Sequence, residues 1–407
     1  MGYVKDLHER QFAQGWRFSE LYICPNCIGD EVLRSQVADR GDVSNECSFC
    51  SGQLAAEFDF FMELFVEGVH EDFADANEEG IYYEGREGGY QAWPQWDTYE
   101  LIDEYWDVLT GPGVLDAVKQ LVEDRVWVRK NYGWPSRDEA LTWGWERFCE
   151  AVQHETRYVF WLVPDSDETS AEYTGEVPAS RILEEVGKLI SRYDLLRELP
   201  PGSALWRARA HGPEAYFYSA RQLGTAPRED ANQSNRMSPA GISMFYGSDD
   251  AETAIAETAA RTNQPCITVG RFKTDVACIV IDFTNLPSVP SVFDARARGD
   301  RPPLMFLHQF VNQLKKPARD RWEQLDYVPT QILTEYFLKV FLNGEAVTGL
   351  LYPSAQTGRA SAVMDVDHQH CVSEDEIAKP SDSLRLFLEA DSATTSWSCS
   401  SGSLRLG

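Results

Sequence analysis

Apolar residues recur at helical spacing through the first half of the chain. Two such stripes lie between residues 55 and 165, and each predicts an amphipathic helix because positions three and four apart share one helix face. Their members are Phe60, Phe61, Leu64 and Phe65, and Leu101, Ile102, Tyr105 and Leu109. Further apolar runs before residue 165 continue the pattern, so this region is predicted to be mostly helical.

The second half of the chain alternates short apolar runs of strand character with helices. In the run ISMFY, Ile242, Met244 and Tyr246 fall on one face, because the side chains of a strand alternate between its two sides. Asp249, with Glu252 three residues later, then predicts a helix N-cap with a capping box. A strand followed directly by a helix is therefore expected here.

Three polar residues stand at fixed spacing around this strand and helix. Arg236 precedes the turn before the strand, Tyr246 lies on the strand, and Glu257 lies beside the apolar stripe of the helix. In that position the carboxylate of Glu257 can point into a cleft at the edge of the strand. The stretch is a candidate site that combines a guanidinium, a phenol and a carboxylate.

Other runs predict more of the same mixed domain. ALWRARAH predicts a strand with Arg207 and Arg209 on one face, and GLLYPSA predicts a strand that ends at Ser354. The β-runs 267–272 and 277–283 are separated by a Lys-Thr-Asp turn and predict a hairpin.

The chain has 407 residues, which favours two domains. A segment rich in Ser, Thr, Pro and acids at residues 164–180 lacks periodicity and predicts a linker, and the Ser-rich end predicts a disordered tail. The predicted organisation is a zinc ribbon at 1–54, a helical domain with its linker at 55–180, a mixed domain at 181–390 and the tail at 391–407. The predicted fold class is α+β.

Charge and composition narrow the possible partners. The formal charge of −28, from 65 acidic against 37 basic residues, disfavours extended nucleic-acid binding, which depends on Lys and Arg neutralising phosphates. A small anion could still bind a local cluster of arginines. No run of 18 apolar residues and no signal-peptide pattern occurs, and the nine cysteines are an odd number. These features predict a soluble, cytoplasmic protein with reduced thiols and no membrane partner.

Four cysteines form two CxxC pairs in the predicted ribbon. Cys24 and Cys27 are separated from Cys47 and Cys50 by 19 residues, and this spacing suits a tetrahedral structural zinc site. Four ordinary buried cysteines and a redox-active CxxC are the alternatives. No βαβ pattern surrounds either pair, which disfavours the redox alternative.

Arg147 and His154 raise a separate possibility. Their spacing resembles the R-x4-6-H signature of HEPN ribonucleases, in which the His would act as general acid or base and the Arg would hold phosphate. A structural polar pair on one helix is the competing explanation. The acidic surroundings disfavour the approach of an RNA strand.

Four runs together resemble the RES domain, whose members are NAD-degrading toxins with a fold similar to ADP-ribosyltransferases. These runs are LWRAR, NRMSPAGISMFYG, AIAE and LLYPSA, between Ala204 and about Cys371. The first half of the chain, with its paired CxxC motifs, is similar to the HEPN/RES N-terminal domain. One departure is the run SNRMS, where the commoner RES form has GGRWN; the Arg is retained, whereas its flanking glycines and Trp are not.

The resemblance implies a pocket of Arg236, Tyr246, Glu257 and Ser354, with Arg207 on an adjacent strand, and an ADP-ribosyltransferase-like split sheet. Arg207 and Arg236 would bind the pyrophosphate of NAD, and Tyr246 would stack on nicotinamide or ribose. Glu257 would stabilise the oxocarbenium ion, and Ser354 would hydrogen-bond the amide or ribose. For Arg207, the alternative is a structural ion pair.

The expected activity is cleavage of the nicotinamide N-glycosidic bond of NAD, with water or inorganic phosphate as acceptor. A toxin or defence effector of this kind needs an antitoxin or a trigger, and it can form homo-oligomers. A mono-ADP-ribosyltransferase acting on a protein is the first alternative. A HEPN-type ribonuclease and a non-catalytic interaction module are the others.

Overall fold

The computed structural model describes residues 14–86, 88–162, 175–319, 321–341, 346–378, 381, 383–398 and 404–406. The chain divides into two compact units. The first consists of Met1–Pro135 with Val289–Pro302, and the second of Ser136–Ser288 with Pro303–Gly407. Each unit is described in turn.

The described part of the first unit contains short strands and four α-helices. The helices are α1 (Glu31–Arg40), α2 (Phe58–Asp72), α3 (Thr98–Asp103) and α4 (Val114–Leu121). The strands are β1 (Tyr22–Ile23), β2 (Ala56–Glu57), β3 (Phe73–Asp75), β4 (Tyr83–Glu84), β5 (Gly89–Tyr90), β6 (Trp96–Asp97) and β7 (Val126–Arg129). β1 pairs with β2, β4 pairs with β5, and β3, β7 and β6 form a three-stranded sheet in that order.

Helix α2 forms the centre of the apolar core in the first unit. Phe61 and Phe65 are fully buried, as the helical spacing of the sequence predicts. The ring of Phe65 stacks on Phe293 with centroids 5.7 Å apart. Gly68 permits this approach, because a Cβ atom at Gly68 would lie 2.2 Å from the ring of Phe293. Any larger residue at position 68 would displace that ring.

The second unit combines seven helices with one large sheet among the described residues. The helices are α5 (Arg137–Glu150), α6 (Ile182–Arg192), α7 (Ala220–Leu223), α8 (Ala251–Ala259), α9 (Arg301–Leu314), α10 (Glu323–Asp326) and α11 (Val328–Lys339). The strands are β8 (Leu196–Leu199), β9 (Ala204–His211), β10 (Phe245–Ser248), β11 (Cys266–Thr274), β12 (Cys278–Asp282), β13 (Val347–Pro353), β14 (Ala360–Met364), β15 (Cys371–Ser373), β16 (Leu386–Leu388), β17 (Thr394–Ser398) and β18 (Leu404–Leu406).

The large sheet is nearly split between β9 and β10. Its order is β15, β16, β11, β9, β10, β14, β13, β12, β8, and β17 also pairs with β11. β9 pairs with β11 along all of Ala204–His211, whereas β9 and β10 meet only at Trp206 and Ser248. Beyond that contact the two strands diverge. The predicted α+β class with a split mixed sheet is confirmed, and the divergence leaves room for a cavity.

The predicted hairpin in this unit is wrong. Both of its strands exist, as β11 and β12, but β11 pairs with β9, β16 and β17, whereas β12 pairs with β8 and with β13. The residue after β11 explains the difference, because Asp275 accepts hydrogen bonds from the backbone and guanidinium of Arg385 at 2.8 Å each. That contact holds the end of β11 beside β16, so the chain leaves β11 without folding back on it.

Two further sequence predictions concern the ends of segments. Most of the predicted linker, residues 164–174, lies outside the described residues. Within the predicted disordered tail, Thr394–Ser398 instead forms β17, because its backbone pairs with Cys266–Val269 of β11. Residues 399–403 and 407 lie outside the described part. None of the described helices has the length and apolar character that crossing a bilayer requires.

Candidate functional site

The four cysteines of the first unit converge on one point. Their Sγ atoms all lie within 4.8 Å of one another. Cys24 Sγ is 3.4 Å from Cys50 Sγ, and Cys27 Sγ is 3.8 Å from Cys47 Sγ. Burial raises the pKa of the Cys24 and Cys27 thiols, so a bound cation would be needed to hold all four as thiolates. The cluster can therefore bind a metal ion.

The backbone around this cluster forms two tight turns. The amide of Cys27 donates to the carbonyl of Cys24 at 3.1 Å, and the amide of Ser51 donates to the carbonyl of Cys47 at 3.0 Å. A Cβ atom at Gly52 would lie 3.2 Å from Cys50 Sγ and 3.3 Å from Cys24 Sγ. A side chain at position 52 would therefore press against both sulfur atoms.

A cavity of about 250 Å³ lies in the second unit, where β9 and β10 diverge. Trp206, Arg207 and Ala208 of β9 form one wall, and β10 and α8 contribute others. Gly247 of β10 allows the strands to approach at the base, because a Cβ atom there would lie 3.2 Å from the carbonyl oxygen of Trp206. The cavity is a direct product of the split sheet.

Glu257 and Ser354 are brought together at this cavity. Glu257 lines it from α8, and Ser354 Oγ donates to Glu257 Oε1 at 2.5 Å. The backbone amide of Ala355 donates to the same oxygen at 3.1 Å. Within the described residues, Oε2 of Glu257 has no hydrogen-bond partner. One carboxylate oxygen is therefore fixed by the protein, and the other is available to a ligand.

Tyr246 also lines the cavity, and its hydroxyl is held by the turn that precedes β10. Tyr246 Oη lies 2.9 Å from Ser238 Oγ and accepts from the Met237 amide at 3.3 Å. Burial raises the pKa of Tyr246 to about 12, so the phenol is neutral at pH 7. Helix α11 fixes the turn, since Gln331 Nε2 donates to the carbonyl of Asn235 at 2.8 Å.

Arg207 lines the cavity but directs its guanidinium to backbone carbonyls. Its Nε donates to Leu223 O and its Nη1 to Tyr246 O, both at 2.7 Å. The second bond joins β9 to β10 where no ladder hydrogen bond does. Burial, with Arg209 nearby, lowers the pKa of Arg207 to about 10, which still leaves it charged at pH 7. Arg209 reaches the neighbouring carbonyl of Gly224, which confirms that both arginines share a face of β9.

Arg236 is not among the residues that line this cavity. It is 5 % exposed, its Nη1 donates to the carbonyl of Leu314 at 2.9 Å, and its guanidinium lies 6.0 Å from the ring centroid of Tyr327. It borders a second cavity of about 290 Å³ instead. Its neighbour Asn235 lines the first cavity, so the turn that contains Arg236 contributes to the site although the side chain of Arg236 does not.

Comparison with protein families agrees with this geometry. Residues 204–389, which include every element around the cavity, match the RES domain, and residues 41–166 match the HEPN/RES N-terminal domain 1. The chain thus contains a HEPN/RES N-terminal domain 1 followed by a RES domain. No curated protein and no solved structure matches the chain. RES domains are associated with NAD-acting enzymes, so the cavity at the split of the sheet is the candidate active site.

Several residues of the RES domain line the cavity although the sequence did not single them out as site residues, among them Arg261, Tyr352 and Ser361. Arg261 follows α8 one turn after Glu257, and Tyr352 and Ser361 lie on β13 and β14. Arg261 had a detectable signal, since it shares a helix side with Glu257. Ser361 had none, because only the pairing of Ser361 with Ser248 and Tyr352 brings it to the site.

The helix that carries Glu257 begins one residue later than predicted. Asp250, not Asp249, is the N-cap, and its side chain accepts from the amide of Thr253 at 2.8 Å. The Asp249 amide instead donates to the carbonyl of Ala360 at 3.1 Å, which continues the β10–β14 pairing. The predicted cap at Asp249 is wrong because sheet pairing uses that residue.

Arg147 and His154 have separate partners in this structure. Arg147 Nη2 donates to Glu176 Oε2 at 2.9 Å, and His154 Nε2 lies 4.0 Å from Glu150 Oε2. Both side chains are nearly half exposed. These contacts are those of surface polar pairs. The guanidinium of Arg147 is already paired with the carboxylate of Glu176, so it is not free to bind a phosphate.

Proposed function

We propose that the protein cleaves the nicotinamide N-glycosidic bond of NAD, as a glycohydrolase or a phosphorylase. The observation that carries this proposal is the Glu257 carboxylate, which lines the cavity with one oxygen anchored by Ser354 and Ala355. An anchored carboxylate that lines a cavity is suited to stabilise positive charge that develops in a bound sugar.

The reaction needs such a charge because nicotinamide departs with the bonding electron pair. The ribose C1 atom and its ring oxygen are then left as an oxocarbenium ion, close to the free oxygen of Glu257. A water molecule or an inorganic phosphate adds at C1, and the proton released from water passes to solvent or to that carboxylate. The products are nicotinamide and either ADP-ribose or its 1-phosphate ester.

The remaining predicted residues act around this step. Tyr246 offers a ring face to nicotinamide or ribose, and its neutral phenol is positioned by Ser238. Ser354 acts by positioning Glu257. Arg207 supplies positive charge to the cavity wall and braces the split of the sheet. Arg236 supports the turn whose residue Asn235 reaches the cavity.

Purified protein incubated with NAD is expected to release nicotinamide, and Glu257→Gln is expected to reduce that release by a factor of about 1,000, as removal of one transition-state contact does. Glu252→Gln is the matched control, because Glu252 lies on the same helix but is exposed and lines no part of the cavity. Nicotinamide release that is absent with and without phosphate, or equal in both variants, would contradict the proposal.

The acceptor distinguishes the alternatives. Mass spectrometry of the product separates hydrolysis, which gives ADP-ribose, from phosphorolysis, which gives ADP-ribose-1″-phosphate. A mono-ADP-ribosyltransferase would instead leave label from adenine-labelled NAD on protein. Because each route begins with departure of nicotinamide, Glu257→Gln is expected to impair all three.

Zinc is the metal that best suits the four cysteines. Four thiolates at about 2.3 Å around a tetrahedral zinc lie about 3.8 Å apart. The three measured Sγ separations are 3.4, 3.8 and 3.9 Å, so the arrangement suits this ion. Cys24, Cys27, Cys47 and Cys50 would hold it, and with no open position it would stabilise the ribbon rather than take part in chemistry.

An enzyme that depletes NAD would harm the cell that makes it. The proposed biological role is therefore a toxin or a defence effector, restrained by an antitoxin or awaiting a trigger, and acting in the cytoplasm where NAD is available. None of the described cysteines forms a disulfide, which supports a reducing compartment. Toxicity on induced expression, lost with Glu257→Gln, tests this role.

A further inference from the structure

The proposed active-site cavity has two chemically different ends. Among its lining residues that carry a hydroxyl, the most buried are Ser248, Ser361 and Tyr352, which are 2 %, 4 % and 7 % exposed. At the other end lies Arg261, which is exposed to solvent. Glu257 is half-buried and lines the cavity between these extremes. The cavity therefore has a neutral, hydroxyl-bearing floor and a cationic mouth.

Arg261 is the cavity guanidinium that is free to bind an anion. Arg207 already donates to two backbone carbonyls, and Arg236 lies on the other cavity. Across the described ranges, no carboxylate lies within ion-pair distance of Arg261 and no acceptor bonds its side chain. Burial raises the pKa of Tyr246 and of Tyr352, and Arg261 opposes that rise in both, so its charge lies near both phenols.

Ser361 carries an unsatisfied hydroxyl at the floor. Its Oγ is buried and has no hydrogen-bond partner in the described structure, although it lines the cavity. Buried polar atoms without a partner are rare, and each calls for an explanation such as a ligand. The hydroxyl of Tyr352, on the neighbouring strand, also bonds to none of the described residues. The hydroxyl groups of Ser361 and Tyr352 are thus both available to hydrogen-bond a ligand at the buried end of the cavity.

We propose that NAD enters this cavity nicotinamide first, so that Ser361 hydrogen-bonds the carboxamide and Arg261 binds the pyrophosphate. This inference rests on the proposed function. Along NAD, the carboxamide and ring of nicotinamide are followed by the scissile bond, the ribose and the phosphates. From its buried to its exposed end, the cavity offers Ser361 for the carboxamide, Glu257 for the scissile bond and Arg261 for the phosphates. Arg261 follows Glu257 by four residues, just beyond the end of α8, and both side chains line the cavity.

Calorimetric titration in the Glu257→Gln background tests this orientation, because that variant leaves the ligands intact. ADP-ribose lacks nicotinamide, and nicotinamide riboside lacks both phosphates. Added Arg261→Gln is expected to weaken ADP-ribose and NAD by a factor of about 10 to 100 and to leave nicotinamide riboside unchanged. Added Ser361→Ala is expected to weaken NAD and nicotinamide riboside about fivefold and to leave ADP-ribose unchanged.

Two control variants match these changes elsewhere in the same unit. Arg221→Gln removes an exposed arginine that lies 3.7 Å from Glu376, and Ser396→Ala removes another buried, unpartnered hydroxyl on β17. Neither residue lines the cavity, so neither variant is expected to change any of the three affinities. Thermal unfolding of each variant shows whether a lost affinity reflects a lost fold.

The outcomes separate the two proposals. If the Glu257→Gln parent is folded but binds neither NAD nor ADP-ribose, the proposed function fails. If the parent binds both and Arg261→Gln leaves ADP-ribose affinity unchanged, the orientation is overturned. It is equally overturned if Ser361→Ala weakens ADP-ribose as much as NAD, since the hydroxyl would then contact the wrong end of the substrate.

Discussion

The four cysteines of the first unit come from two short segments, Cys24–Cys27 and Cys47–Cys50, whereas the cavity of the second unit takes its walls from elements spread over residues 206–361. Each CxxC pair is shaped by a local turn, so its geometry follows from adjacent residues. The cavity exists because β9 and β10 pair at one position and then diverge. The cysteine cluster therefore depends on residues that are close together in the sequence, whereas the cavity depends on the pairing of distant strands.

Removal of one cysteine is expected to give the largest effect. Cys24→Ser leaves three thiolates, and a structural zinc site contributes on the order of 10 kcal/mol to a small metal-stabilised fold. Elemental analysis is expected to find one zinc per wild-type chain and much less in the variant. Hydrogen exchange is expected to rise across residues 22–57 and to remain unchanged in β9, β10 and α8.

Cys149→Ser is the control for that change, because Cys149 is half-buried in the second unit and lies outside the cluster. A wild-type protein that contains no metal, and whose exchange is unaffected by a chelator, would rule out the structural zinc. If Cys24→Ser also abolishes nicotinamide release, the first unit controls the activity of the second, and the two regions are not independent.

Ser354→Ala probes the cavity with a smaller change. Loss of the hydroxyl removes one of two hydrogen bonds to Glu257 Oε1 and leaves the amide of Ala355 in place. A hydrogen bond to a charged group contributes about 1.5–3 kcal/mol, so kcat for nicotinamide release is expected to fall by a factor of about 10 to 100. KM is expected to change little, because Ser354 acts through Glu257.

Ser396→Ala is again the appropriate control for this serine. A Ser354→Ala enzyme with raised KM and unchanged kcat would show that the hydroxyl contacts the substrate directly. Ser354 would then bind the substrate rather than position Glu257. The backbone amide of Ala355 would be the remaining group that holds the Glu257 carboxylate.

The same contrast explains how much the sequence could predict. The spacing of Cys24 and Cys27 sufficed for the cluster, because a CxxC turn is local. The strand and helix that carry Tyr246 and Glu257 were also predictable from a period-two run followed by a cap signal. The cap itself was misplaced by one residue because Asp249 pairs with Ala360, more than a hundred residues away.

Long-range pairing accounts for the rest of what the sequence did not show. The hairpin prediction failed because Asp275 binds Arg385, a contact that no local signal announces. Ser361 reaches the cavity only through the register of β14 with β10 and β13. Arg236 matched the family run NRMS by position, but the direction of its side chain depends on Leu314 and on α11. Residue type is visible in a sequence; orientation requires the fold.

The smallest expected effect concerns pH in the first unit. Burial lowers the pKa of His70, and nearby Arg125 and Lys130 lower it further, against Glu78 and Asp75. The folded unit therefore holds His70 neutral at a pH where the unfolded chain takes up a proton. Its stability is expected to be full above pH about 6.5 and to decrease as the pH falls below that value. Hydrogen exchange in α2 measures this locally.

His70→Gln is expected to flatten that dependence, because glutamine does not titrate. His154→Gln changes a half-exposed histidine of the second unit and is the control. The cavity is expected to show no matching change in the second unit, since Tyr246, with its pKa raised to about 12, stays neutral throughout. If exchange in α2 varied equally with pH in wild type and His70→Gln, the acid sensitivity of the first unit would have to come from its carboxylates instead of its buried imidazole.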